Sequence, residues 1–104
     1  MLIEFNNPYL EKIFEGKAVS GKPRYSSDVV LKFKKTVLKL KYMESIRELK
    51  KFRGLNFEAL KGDYKGFHSV RVDLKYRLIL TVIGNDKVEV SDIIVIEDLT
   101  NHYK

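Results

Sequence analysis

The sequence predicts an α+β domain in which a small sheet carries helices on one face. Three observations support this. The stretch Gly66 to Val82, GFHSVRVDLKYRLILTV, alternates apolar and polar residues at period two, as half-buried strands do. Val30, Phe33, Val37, Leu40 and Met43 recur at helical spacing and define one apolar stripe. The elements follow in the order β-α-α-α-β-β-β, with no internal repeat or low-complexity segment.

Taken in order, Leu2 to Phe5 alternates weakly and reads as a first strand, which Asn7-Pro8 ends. Pro8 suits the first turn of a helix, where its missing N–H costs nothing. Tyr9, Leu10, Ile13 and Phe14 continue at helical spacing until Gly16. Lys17 to Tyr25 is polar, contains Gly21 and Pro23, and reads as a loop. Ser26 or Ser27 caps the next helix, with Asp28 placed favourably in its first turn. A shorter helix follows from about Glu44 to Phe52, with Ile46 and Leu49 facing inward and Gly54 ending it. These two helices are expected to form a hairpin against one sheet face.

Leu55 to Lys65 reads as a linker anchored by Leu55, Phe57 and Leu60. In the strand pair that follows, Asp73-Leu74-Lys75 forms the loop, which sets Val72 opposite Tyr76 and Arg71 opposite Arg77. Val70, Val72, Tyr76, Leu78 and Leu80 then share the core face, and Ser69, Arg71 and Arg77 share the other. Gly84-Asn85-Asp86 is a turn signal into a last strand, Val88 to Ile96. Its apolar parity slips near Ser91-Asp92, where a bulge is expected.

The chain has 104 residues, one domain's worth, and is expected to fold as a single unit over residues 1–104. The absence of cysteine excludes disulfides, thiolate catalysis and zinc–thiolate sites. No apolar run approaches the roughly 18 residues of a membrane span, so a cytoplasmic protein without membrane contact is expected. The net charge of +6 is unevenly distributed. Leu31 to Arg53 holds nine basic and two acidic residues, whereas the rest of the chain is close to neutral. Such a patch suits counterion release on a polyphosphate, or else is a solvated helix face.

No phosphate-binding glycine loop, serine elbow or paired-histidine zinc motif is present. His68 and His102 lie too far apart in sequence to argue a metal site. What remains is an Arg, His and Tyr set. Two arginines directly across a sheet repel, which points to an anion between them. Metal-free RNA cleavage needs a base for the 2′-hydroxyl, an acid for the leaving oxygen and cations for the phosphate. Arginine, histidine and a tyrosine of lowered pKa can fill those roles. Each residue also has a structural reading. Arg77 can pair with Glu89 or Glu97, and Arg71 with Asp92. His68 lies on the core parity, where a hydrogen-bonded structural role is expected. His102 and Tyr103 can be a frayed terminus.

At this point the residues resemble a known family, the RelE-like toxins of bacterial toxin–antitoxin pairs, in their HigB branch. YLEKIFEGK resembles the branch's segment after its first strand. RELKKFRGLNFEALKGDYKGFHSVRVDLKYRLIL resembles its most specific run, a leucine-bearing helix followed by LxxLKGxxxGxxSIRI and an aromatic–Arg pair. IEDLTNHY resembles the closing strand end.

The resemblance implies a RelE-like microbial RNase fold, with a small antiparallel or mixed sheet and an N-terminal helical hairpin on one face. It implies a ribosome-dependent, metal-independent mRNA endonuclease without cofactor. Its partners would be a helix-turn-helix, HigA-like antitoxin, the 70S ribosome and mRNA, with operator DNA reached only through the antitoxin. Carried over by position, Arg71 and Arg77 hold the mRNA phosphate, and His102 and Tyr103 are the terminal acid/base positions. Lys34, Lys35, Lys39, Lys41 and Arg53 dock on ribosomal RNA. The branch often closes with Asp-Tyr-His directly after the strand, whereas here Leu99-Thr100-Asn101 separates Asp98 from His102-Tyr103. Asp98 therefore stands beside those two as a candidate base. The alternatives are a ParE-like toxin of DNA gyrase and a non-catalytic RNA-binding module.

Overall fold

The computed structural model describes residues 1–84 and 92–102. The element order is β1 (Leu2–Phe5), α1 (Pro8–Phe14), α2 (Ser27–Tyr42), α3 (Ile46–Lys51), β2 (Glu58–Ala59), β3 (His68–Arg71), β4 (Arg77–Ile83) and β5 (Ile93–Thr100). Two 3₁₀ turns, Arg53–Leu55 and Gly62–Tyr64, flank β2. The expected order holds, with β2 added inside what reads as a linker. Five strands form one sheet in the order β1-β5-β4-β3-β2. β1 runs parallel to β5 and every other pair is antiparallel, so the sheet is mixed.

Polar side chains start each helix. Asn7 accepts from the Leu10 N–H at 3.1 Å, with Pro8 in the first turn of α1. Ser26, one of the two expected caps, accepts from Val29 N–H at 3.2 Å. Ser45 accepts from Glu48 N–H at 3.3 Å, and the Glu48 carboxylate accepts in return from Glu44 N–H at 2.8 Å. Such caps satisfy donors that the helix itself leaves open.

α2 buries Val29, Phe33, Thr36, Val37 and Leu40. This is the expected stripe turned slightly, with Val30 only half-buried. Thr36 sits among apolar neighbours because its hydroxyl donates to the Lys32 carbonyl at 2.9 Å. The core joins Phe33, Val37 and Leu40 to Leu10, Leu49, Val70, Leu78, Leu80, Ile94 and Ile96. Helices thus cover the sheet face that carries Val70, Leu78 and Leu80. α1 lies against α2, and α3 is a short piece burying only Leu49.

β5 carries a bulge of its own, whereas the one expected near Ser91-Asp92 falls where the described residues break off. Ile79 pairs with Asp98 but Leu80 pairs with Ile96, so Glu97 is the extra residue in β5. That shift lets Ile94, Ile96 and Leu99 all reach the core despite their change of parity. Glu97 is also held in place, accepting from Thr81 Oγ1 at 2.7 Å and from Asn6 Nδ2 at 2.8 Å. Ser91, the Asn85-Asp86 turn and the expected start of the last strand at Val88 lie outside the described residues. Asp92 instead caps a neighbouring helix, accepting from Ile46 N–H at 2.9 Å.

Tyr25 anchors the long polar loop. Its hydroxyl donates to the Leu99 carbonyl at 2.7 Å, and its ring lies between Tyr9, at 6.1 Å, and Tyr76, at 5.9 Å. Burial first and the Asp98 charge second push its pKa to about 12, so it remains a donor at every physiological pH. Tyr25→Phe keeps the ring and loses one part-buried hydrogen bond. It is expected to cost about 1 kcal/mol in urea denaturation, and an unchanged midpoint would show that the ring alone ties the loop down.

Candidate nucleic-acid interface

The β3–β4 hairpin forms as its sequence dictates. The Asp73 carboxylate accepts from the N–H groups of Lys75, at 2.8 Å, and Tyr76, at 2.6 Å, closing an Asx-type turn. Burial alone would raise the Asp73 pKa. The two backbone N–H groups, with Lys32 and Lys75 nearby, outweigh that and hold it below its usual range. Val72 N–H then donates to Tyr76 O at 3.0 Å, which fixes Arg71 opposite Arg77 and Ser69 opposite Ile79. The expected register and the expected split of faces are both present.

The two arginines differ in surroundings. Arg77 is 3% exposed and lies across β3 toward β2. Its Nε donates to Ser69 Oγ at 2.9 Å, and Nη2 donates to Asn56 O at 2.6 Å and Ser69 O at 3.3 Å. Glu58 Oε1 stands 3.4 Å from the same Nη2. The expected repulsion is therefore relieved from within the chain: Arg77 turns along the sheet to Glu58, while Arg71 is exposed. Neither structural pairing read from sequence occurs among the described residues. Glu97 is engaged by Thr81 and Asn6, Asp92 caps α3 at the far end of β5, and Glu89 lies outside the described residues.

Across β4 from Arg77 stands Thr100, so Arg71, Arg77 and Thr100 form one row over three strands. Asp98, opposite Ile79, shares that face by register. His102 follows Thr100 by two residues and is exposed. Its N–H donates to Thr100 Oγ1 at 2.9 Å, and its carbonyl accepts from Tyr64 Oη at 3.3 Å. The tail is thus tied beside the arginine row through His102. Tyr103 lies outside the described residues.

Lys34, Lys35, Lys39 and Lys41 belong to another side of the molecule. Their helix packs on the core face, and at 100° per residue Lys34 and Lys41 fall on one flank of α2, with Lys35 and Lys39 on the side away from Phe33. Lys39 Nζ sits 5.8 Å from the Phe52 ring centroid. Arg53, in the 3₁₀ turn after Phe52, is also exposed. The predicted residues therefore form two groups, an arginine row on the sheet face away from the helices, where Arg71 is exposed and Arg77 buried, and a lysine face on the helical layer.

Sequence reasoning missed Asn56, Glu58 and Ser69 as the partners of Arg77, and Tyr64 as the holder of His102. Asn56 carried a faint signal, since its left-handed backbone at φ 46° is one that Asn tolerates. His68 departs from its expected hydrogen-bonded role. Its ring stacks on Phe57 at 5.0 Å with 3° between planes, and its buried Nδ1 has no partner among the described residues. Burial first and Lys50 second lower its pKa. The neutral form is therefore favoured by folding, and its contribution to stability is full above the unfolded value of about 6.5 and declines as pH falls below it. His68→Phe keeps the stacking and removes the titration. The fall in melting temperature from pH 7 to pH 5 is expected to be smaller in this variant, and an identical fall would exclude His68 as its source.

No group of three or more His, Cys, Asp or Glu residues gathers into a possible metal site among the described residues. No described helix is long and apolar enough to cross a membrane.

The fold that carries this arginine row is that of the RelE-superfamily toxins. The chain superposes on a YoeB/ParE toxin from Agrobacterium tumefaciens with TM-score 0.55 and 20% identity, covering 99% of this chain and 100% of that one. It superposes on a mutant of YafQ from E. coli with TM-score 0.52 and 18% identity, covering 96% and 91%. No curated protein matches the sequence significantly. The family model of HigB-like toxins, RelE-like toxins of the type II toxin–antitoxin system HigB, matches residues 3–95. The chain belongs to that family: it is a type II toxin, and a cognate antitoxin is its implied partner.

Proposed function

We propose that this toxin is a ribosome-dependent mRNA endonuclease that needs no metal ion, and that it stops translation until its antitoxin binds. The observation that carries this reading is the row Arg71, Arg77 and Thr100 on the sheet face away from the helices, with Arg71 exposed and His102 tied beside it. Arg71 presents its guanidinium to an approaching phosphate, where a planar, permanently charged fork matches phosphate oxygens. Arg77 keeps its side chain along the sheet and supplies a fixed positive charge beneath the same position. A base chosen from His102, Tyr103 and Asp98 takes the 2′-hydroxyl proton. The oxygen attacks the adjacent phosphorus, and the 5′-oxygen leaves with a proton from the paired acid. Charge builds on the phosphate in the transition state, where preorganised cations contribute most.

On the helical side, Lys34, Lys35, Lys39 and Lys41, with Arg53, supply the polyanion contact expected on ribosomal RNA. The antitoxin in this reading is a HigA-like helix-turn-helix protein that alone contacts operator DNA, and the toxin acts in the cytoplasm. The test is expression followed by mapping of mRNA 5′ ends, with translation running and with it blocked. Discrete new 5′ ends that need translation are the expected result. Intact mRNA accompanied by a DNA-damage response would sink the nuclease reading in favour of a gyrase poison.

A further inference from the structure

The loop between α1 and α2 ends in a basic strap, fixed at the same end of the sheet as the arginine row. Lys17 to Tyr25 contains Lys17, Lys22 and Arg24 and no acidic residue. Tyr25 donates its hydroxyl to Leu99 O at 2.7 Å and sets its ring against Tyr76 at 5.9 Å. Leu99 and Tyr76 directly adjoin Thr100 and Arg77, the pair that carries the row from β4 to β5. The Asp98 charge acts on the Tyr25 hydroxyl, so a candidate base lies at this end as well. Arg24 is held from two directions. Its backbone N–H donates to Tyr9 Oη at 3.0 Å, and its guanidinium lies over the Tyr9 ring, 4.3 Å from the centroid. Tyr9 in turn packs on Tyr25 at 6.1 Å. Arg24 is exposed and makes no ion pair among the described residues.

A strap held only for stability does not need this cation. Tyr25 already anchors it, and an exposed guanidinium on a tyrosine ring adds little to a fold. What the arrangement provides is a guanidinium backed by an aromatic ring, open to solvent and placed at the rim of the row. Single-stranded RNA presents unpaired bases, and these stack on guanidinium planes and aromatic rings. With no carboxylate beside it, the Arg24 cation is available to such a ligand. We propose that Arg24, backed by Tyr9, is a stacking site for an unpaired nucleobase of the message, next to the phosphate held at the arginine row. This rests on the nuclease reading and adds to it a contact that the row does not make. Arg71 and Arg77 meet a phosphate, which is the same in every nucleotide, whereas a stacked base differs from one nucleotide to the next. Purines offer the larger face, so the strap favours a purine at that flank of the cut.

The test measures the affinity of the full chain for ribosomes programmed with a message made uncleavable by one 2′-deoxy nucleotide. That message is used intact or with an abasic nucleotide on one or the other side of the 2′-deoxy position. Arg24→Ala should bind the intact message roughly tenfold more weakly, the order that one stacked base contributes. Its melting temperature should remain that of the wild type, because Arg24 is exposed and the bond to Tyr9 Oη comes from the backbone. In the wild type an abasic nucleotide on one side should cost about tenfold as well. In Arg24→Ala the same abasic nucleotide should cost nothing further, since both changes remove one contact. Arg24→Lys keeps the charge without the planar fork and should recover only part of the loss. Wild-type affinity in Arg24→Ala overturns the proposal. Full recovery in Arg24→Lys, or an equal abasic penalty in wild type and Arg24→Ala, also overturns it, leaving a phosphate contact only. A wild type that neither binds nor cleaves messages on ribosomes overturns the nuclease reading itself, whereas a cleaving wild type with an indifferent Arg24 overturns the stacking site alone.

Discussion

Arg77→Ala is expected to destabilise the fold by about 2–3 kcal/mol, on the order of 10–20 °C in melting temperature for a domain of this size. The guanidinium holds Ser69 Oγ, Ser69 O and Asn56 O together, and Ser69 is fully buried. Removing it withdraws two hydrogen bonds from buried Ser69 and a third from the carbonyl of exposed Asn56, and its aliphatic stem leaves a void on the sheet. The ion pair with Glu58 adds little to that figure, because the Glu58 side chain is 48% exposed and screened by solvent. Arg77→Lys keeps the charge but cannot reproduce a fork that reaches a hydroxyl and two carbonyls at once, so it should recover only part of the loss. Urea denaturation followed by circular dichroism reads both variants. A wild-type midpoint for the alanine variant would mean that these contacts do not anchor β3 to the start of β2.

This result bears on how activity is assigned, since a growth assay of Arg77→Ala alone would confuse a lost fold with a lost phosphate clamp. Glu58→Gln separates the two. It keeps a carbonyl oxygen near Nη2 and removes the carboxylate that competes with phosphate for the guanidinium, so a wild-type fold with altered RNA affinity would expose Arg77 acting on ligand.

The hairpin was legible because its signals agree with one another. Period-two alternation, an aspartate able to accept from the two following N–H groups, and apolar residues on both arms all demand the register in which Arg71 faces Arg77. The helix caps were legible for the same local reason. The environment of Arg77 was not, because its counter-charge sits on a two-residue strand with both residues exposed and no periodicity to read. Strand pairing across the chain, rather than anything near Arg77 in sequence, brings Glu58 to Ser69. The bulge at Glu97 was not legible, because its place is set by Thr81 and Asn6, which lie 16 and 91 residues away.

Arg71→Ala is expected to lower ribosome-dependent mRNA cleavage by roughly a hundredfold, the order seen when one preorganised cation or donor is removed from a developing charge. The contrast with Arg77 is what makes the expectation specific. Arg71 occupies the same face and the facing register position, yet it is exposed and has no ion pair among the described residues. Its loss should therefore leave the urea midpoint within about 0.5 kcal/mol of the wild type, as for most surface substitutions. Arg71→Lys retains a charge without the bidentate fork and should fall between the two. The readout is the single-turnover rate of cleavage on programmed ribosomes, beside the affinity for an uncleavable 2′-deoxy message. If rate falls while affinity holds, Arg71 acts on the transition state; if both fall together, it binds the ground state as well. A fully active, normally folded Arg71→Ala would remove the arginine row from the chemistry and shift the search to the tail that Tyr64 holds beside it.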